Sequence, residues 1–275
     1  MRPTRRAILA ATLAFAASPT LPSLAAGALR IGVTPGAYAD SVAAAAAVAK
    51  TEGLDVEVVE FSDWTTPNVA LEAGDIDANY FQHKPFLDNA IKDRGYHFAD
   101  VGTGTLANIG LYSLKHRSLA EIPVGGSVAI ANDPVNEGRG LLLLQKAGLI
   151  RLKDGVEFHG TLDDIVDNPR KLTFTEVEGP QLVRVTGDVD LALGYPHFIV
   201  ASKLFDPSSG LIYSGIDDKR FAIRFVTRQD RADDPRLARF VTIFQTSPAV
   251  RAAIDRAFAG DPKLYTLAWD GAGRS

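Results

Sequence analysis

Between positions 79 and 86 the chain reads Asn79-Tyr80-Phe81-Gln82-His83-Lys84-Pro85-Phe86, which sets the rings of Tyr80, Phe81 and Phe86 around the imidazole of His83. Aromatic faces bury the apolar part of a small molecule, and a neutral imidazole makes one directed hydrogen bond to its polar end. A second cluster, Asn132-Asp133-Pro134-Val135-Asn136-Glu137-Gly138-Arg139-Gly140, opens the apolar run 141–144. Free N–H groups at a helix start favour an anion, and the Arg139 guanidinium adds a bidentate pair to a carboxylate, with Asn136 beside it. Gly138 and Gly140 flank the arginine and let another group approach the backbone. Plainer roles stand beside these: Tyr80 or Phe81 as core, Asn132 or Asp133 as an N-cap, Arg139 as a solvated surface charge.

Trp64 lies in Ser62-Asp63-Trp64-Thr65, and Tyr195 and His197 lie in Gly194-Tyr195-Pro196-His197, each just past an expected strand. Strand exits are where α/β folds place ligands. His97, His116 and His159 are scattered, with no partner at metal-ligand spacing, so no metal site is expected. Nucleophile-elbow and phosphate-loop motifs are missing, and cysteine is absent altogether, which removes thiol chemistry and disulfides. The expectation is therefore a binding protein with no catalytic residue and no cofactor. One alternative is a cleft enzyme pairing His83 with Asp63 or Glu137; another is an adhesin or signalling module on the same fold.

Alternating patterns position these clusters. Strands are expected at 29–33, 54–61 and 77–81, with helices at 40–49, 67–73 and 85–92 between and after them. The alternation repeats with strands at 127–131 and 189–193 and helices at 137–147 and 198–204. A late strand at 221–227 and helices at 236–245 and 249–258 bring the chain back to where it began. The reading is an α/β chain with largely parallel pairing and two lobes: 29–113 plus 222–270 in lobe 1, and 114–221 in lobe 2.

Residues 1–26 have signal-peptide anatomy: Arg2, Arg5 and Arg6, an apolar stretch over 7–17, and a small-residue exit at Ser23-Leu24-Ala25-Ala26. The Arg5-Arg6 pair leaves both the Sec and the twin-arginine route open. Without that segment 26 basic residues face 33 acidic ones, a net charge of −7, which argues against nucleic acid as a partner. The apolar stretch is too short to span a bilayer, so contact with the membrane is expected only through a transporter.

These clusters resemble the NlpA/MetQ family of methionine-import binding proteins. The resemblance rests on Val59-Glu60-Phe61-Ser62-Asp63-Trp64, on the run from Gly74 through Asn79-Tyr80-Phe81-Gln82-His83-Lys84-Pro85, on Asn132-Asp133-Pro134 and on Leu141-Leu142-Leu143-Leu144-Gln145-Lys146. It implies a two-lobe periplasmic binding fold of type II character, a ligand in the inter-lobe cleft and an ABC transporter permease as partner. It further implies that Trp64, Tyr80, Phe81 and His83 line the pocket and that Arg139 holds the ligand carboxylate. Two departures are visible: Tyr195 and Ile223 stand where methionine-binding members carry asparagine. They imply a ligand that keeps an anionic end and has a different or absent amino group, methionine or a related compound. The family's lipid-bearing cysteine is missing too, so a periplasmic form that is not lipid-anchored is expected.

Overall fold

The computed structural model describes residues 27–270; the expected signal segment lies outside them. The chain begins with β1 (Leu29–Val33), α1 (Ala37–Thr51), β2 (Val56–Glu60), α2 (Thr66–Ala73), β3 (Ala78–His83), α3 (Lys84–Arg94) and β4 (Phe98–Thr103). After β5 (Thr105–Ala107) it crosses to β6 (Gly110–Tyr112) and continues through β7 (Ser127–Ala131), α4 (Pro134–Lys146), β8 (Arg151–Leu152), β9 (Ile165–Asp167) and β10 (Thr173–Val177). Next come α5 (Leu182–Val185), β11 (Leu191–Gly194), α6 (Pro196–Ser202) and β12 (Ile212–Tyr213). The chain then returns with β13 (Ile223–Arg228), α7 (Pro235–Thr246), α8 (Pro248–Ala257) and β14 (Tyr265–Leu267).

Two five-stranded sheets result, ordered β2-β1-β3-β13-β4 and β10-β7-β11-β6-β12. Pairing is mixed rather than largely parallel. β1 runs parallel to β2 and β3, and β7 runs parallel to β10 and β11. β13 is antiparallel to β3 and β4, and β6 is antiparallel to β11 and β12. The first strand after each crossover, β6 in the second sheet and β13 in the first, thus runs against the other four strands of its sheet. β6 pairs in the second sheet, so the first crossover falls before Gly110.

Each sheet has its own core. In the first, α7 buries Leu237, Phe240, Val241 and Phe244, and α8 buries Val250, Ala253, Ile254 and Ala257, both at the three- and four-residue spacing of a helix face. Asp234 and Ser247 cap these helices by accepting from the N–H of Arg236 and Ala249, and Pro235 and Pro248 follow directly. In the second, β7 and β11 are buried almost throughout and pack with Leu141, Leu143 and Leu144 of α4.

The glycines around Arg139 serve packing. A Cβ on Gly138 would stand 2.4 Å from the carbonyl oxygen of Phe158, whereas one on Gly140 would meet the Leu193 Cδ2 methyl at 3.2 Å. The group that approaches the helix backbone is therefore the 158–160 loop, not a ligand. Gly138→Ala gains about 1 kcal/mol of helix propensity but must displace a backbone carbonyl, so a net loss of about 1–3 kcal/mol is expected in urea unfolding. Gly140→Ala, which meets only a movable methyl, should stay within about 0.5 kcal/mol of the parent protein, because propensity and crowding nearly cancel.

Candidate functional site

The lobes meet over a cleft that both of them line. Four strand exits supply most of its wall. β1 leads into α1, whose Tyr38 faces the cleft; β3 carries Phe81 and ends at His83; β7 leads into α4 with Asn136 and Arg139; β11 leads into α6, with Tyr195 at its N-cap and His197 in its first turn. Trp64, Phe86, Phe221 and Ile223 complete the enclosure. The two sides touch directly: the Tyr38 and His197 rings are 4.5 Å apart, and Trp64 stands edge-on to Tyr195 at 5.3 Å. The Trp64 N–H also donates to Glu178 Oε1 (3.2 Å), and its ring fills the place a Cβ on Gly179 would take.

Arg139 is 9% exposed. Its Nη1 donates to Asn136 Oδ1 (3.1 Å) and its guanidinium lies over the Phe221 ring at 4.0 Å, but it forms no ion pair with any described residue. Burial pulls its pKa below the usual arginine value, opposed by the through-space pull of nearby tyrosines, Asp133 and Asp218. Arginine nonetheless stays charged in proteins. Three residues along one helix face bring Asn136 and Arg139 together.

His83 is both the N-cap of α3 and a cleft wall. Its Nδ1 accepts from the Phe86 N–H (3.2 Å), which places the proton on Nε2, and Nε2–H then donates to Asn136 Oδ1 (3.1 Å) across the cleft. Asn136 Oδ1 thus accepts from both lobes. Behind this strand Asn68, Asn79 and Gln82 close a buried amide network, with Gln82 Nε2 donating to Asn68 Oδ1 at 2.7 Å. That network fixes β3 to α2 and with it the positions of Phe81 and His83. Other polar atoms in the cleft have no protein partner: the Tyr195 hydroxyl and both ring nitrogens of His197 are buried and unbonded. Burial pushes the Tyr195 pKa up, so its hydroxyl keeps its proton.

Seven of the eight residues expected from sequence line this cleft: Trp64, Phe81, His83, Phe86, Asn136, Arg139 and Tyr195. Tyr80 does not. It is fully buried in the first core, stacked on Phe225 at 4.4 Å, with its hydroxyl bonded to the N–H and side chain of Thr105. Alternation along β3 sends adjacent side chains to opposite faces, so Tyr80 and Phe81 cannot both face the ligand. The start of α4 is also not a free anion site, since the Asp133 carboxylate already accepts from the Asn136 N–H (3.0 Å). Tyr38 and Phe221 were not anticipated. The strand-exit rule applied to β1 points to Tyr38, but the helix expected from 40 begins at Ala37, which puts Tyr38 in its first turn.

Two buried imidazoles give the site a pH signature. His83 and His197 are both held down to about 3, from an ordinary 6.5, by burial, and for His83 also by the Arg139 charge. Each is neutral when folded and takes up a proton on unfolding once the pH is below 6.5. Their stabilisation is therefore complete above that pH and lost as pH falls toward about 3, with a limiting slope of about 1.4 kcal/mol per pH unit each. The urea midpoint should fall between about pH 7 and pH 5, and His197→Phe should remove roughly half of the histidine part of that fall. Equal slopes in parent and variant would contradict this account.

Known proteins resemble this chain in sequence and fold. The family profile described as NlpA lipoprotein matches residues 29–263. The chain is 45% identical over 227 residues to the D-methionine-binding lipoprotein MetQ of Salmonella typhi, covering 82% of this chain and 84% of that protein. The structure of a nutrient-binding protein from Burkholderia cenocepacia bound to methionine superposes with a TM-score of 0.79 at 38% identity, covering 84% and 97% of the two chains. An ABC transporter periplasmic substrate-binding protein from Coxiella burnetii has a TM-score of 0.79, 38% identity and the same coverage. The fold is thus the two-lobe α/β periplasmic substrate-binding fold. The expectation that the protein is not lipid-anchored is overturned, because the family and the Salmonella relative are named as lipoproteins, which points to a lipid-anchored location. By profile, sequence identity and fold, this chain belongs to the NlpA lipoprotein family.

Proposed function

We propose that this protein is the substrate-binding component of an ABC importer, taking a small ligand with an anionic end, methionine or a related compound, between its lobes and presenting it to a permease. The observation that carries this reading is the buried Arg139 guanidinium, without an ion pair and facing an aromatic enclosure. Relatives named as methionine-binding and as ABC transporter substrate-binding proteins support it. Arg139 takes the anionic end, Tyr195 and His197 direct hydrogen bonds to it, and Trp64, Phe81 and Phe86 enclose the apolar remainder. Asn136 and His83 hold the arginine in place. The ligand-gripping lobes comprise 29–108 with 222–270, and 109–221, the first boundary lying earlier than expected because β6 pairs in the second sheet.

The protein is not an enzyme on this reading. An acid–base pair on His83 would need a free ring nitrogen, and both of its nitrogens are engaged. Asp63 caps Thr65 and Thr66, and Glu137 accepts from the Leu162 N–H.

Native mass spectrometry of the purified protein, followed by thermal unfolding against amino acids and organic acids, tests the proposal. A ligand at 100 times its dissociation constant should add about 2.7 kcal/mol of stability. Arg139→Gln should weaken that ligand about tenfold to hundredfold, the worth of a charged hydrogen bond, while Trp64→Phe should abolish most of the ligand-induced fluorescence change. No stabilising compound and no co-purified mass would refute the reading.

A further inference from the structure

Resting on the binding-protein reading above, we propose that the ligand is an apolar monocarboxylate without an ammonium group, not a zwitterionic amino acid. The cleft offers one formal cation, Arg139, and among the described residues lining it there is no Asp or Glu. Its strong side-chain acceptors are already engaged, with only Gln82 Oε1 keeping a second lone pair. Asn136 Oδ1 takes hydrogen bonds from Arg139 and His83, Gln82 Oε1 takes one from Asn68, and His83 Nδ1 takes one from Phe86.

The nearest carboxylates point elsewhere. Asp133 is bonded to the Asn136 N–H and side-chain amide, and it lines a separate cavity on the outer side of Trp64 and Phe86. Glu178 accepts from the Trp64 backbone, and Asp218, in the neighbouring cavity that Arg139 and Phe221 also border, is ion-paired with Arg220. Where a strand from the first lobe meets the cleft, Ile223 is 5% exposed and presents only methyl and methylene groups.

An ammonium group needs acceptors on three N–H bonds and is repelled by a guanidinium in the same enclosure. The cleft groups remaining without a protein hydrogen bond are the buried Tyr195 hydroxyl and His197 ring, with the Tyr38 hydroxyl beside them. Each can donate one hydrogen bond, which suits a carboxylate already drawn to Arg139. A neutral imidazole and two phenols supply acceptors but no negative charge, so beside the Arg139 guanidinium they leave an ammonium without the counter-charge that would offset its burial.

Two matched pairs test this by calorimetry on the full chain: L- and D-methionine against methylthiobutanoate, the same molecule without its amino group, and phenylalanine against hydrocinnamate, likewise. The amine-free member is expected to bind about tenfold to hundredfold more tightly in whichever pair binds. A zwitterion that binds as tightly as its amine-free partner overturns the inference and leaves the binding-protein reading standing. Absence of binding by all of these compounds overturns the carboxylate assignment, and the co-purified mass then decides the wider reading by itself.

Discussion

The rest of the site depends on one buried positive charge. Removing a guanidinium from water costs several kcal/mol unless it is paired and hydrogen-bonded, and here the protein supplies only part of that compensation. One hydrogen bond to Asn136 and a stacked phenyl ring hold Arg139 in place, while Asp133 and Asp218 act at a distance without closing an ion pair. An anion arriving from outside gains what the protein withholds. The charge is also kept from being neutralised by its neighbours: Asp133, the acid best placed to pair with it, is tied to the start of α4. A capping interaction that looks purely structural thereby preserves the binding site.

The fold is arranged to deliver short polar side chains to that charge from both lobes. Each contributing strand ends at the cleft, and α3, α4 and α6 all begin there with a proline in their first turn. Proline at this position leaves no unsatisfied N–H and sets the backbone for the helix. His83 then does two things with one ring, capping its helix through Nδ1 and reaching Asn136 through Nε2. Its position is rigid because β3 is held by the buried amides of Asn68, Asn79 and Gln82.

Much of this was legible in the sequence because it depends on local pattern. Phe81, His83 and Phe86 of the aromatic–histidine run, the Asn136–Arg139 pair and Trp64 all lie on or just after strands expected from sequence, and all line the cleft. Tyr80 shows the limit: two adjacent aromatics on a strand look equivalent, and which one faces inward depends on register with β1 and β13, which pattern alone does not specify. The glycines around Arg139 show another. Gly138 is required by a loop twenty residues downstream, a contact with no local trace. The antiparallel strands β6 and β13 were similarly hidden or misplaced in direction, because direction is set by the crossovers and not by residue type.

Closure and occupancy are coupled by the same polar atoms. With the lobes together, the Tyr195 hydroxyl and the His197 imidazole lie buried without protein partners, and each such group costs about 1–3 kcal/mol if nothing reaches it. Against this stand the cross-lobe contacts: the Tyr38–His197 and Trp64–Tyr195 ring pairs, the Trp64–Glu178 hydrogen bond, and the close seat of the Trp64 ring on Gly179. Aromatic pairs of this kind contribute about 0.5–1.5 kcal/mol each beyond burial, so the two sides are comparable and the closed arrangement is finely balanced. A ligand that bonds Tyr195 and His197 removes the opposing cost and leaves the contacts, shifting the population toward closure by its differential affinity for that state. On the proposed reading, the residues that bond the ligand are thus also the ones through which lobe closure would report its presence.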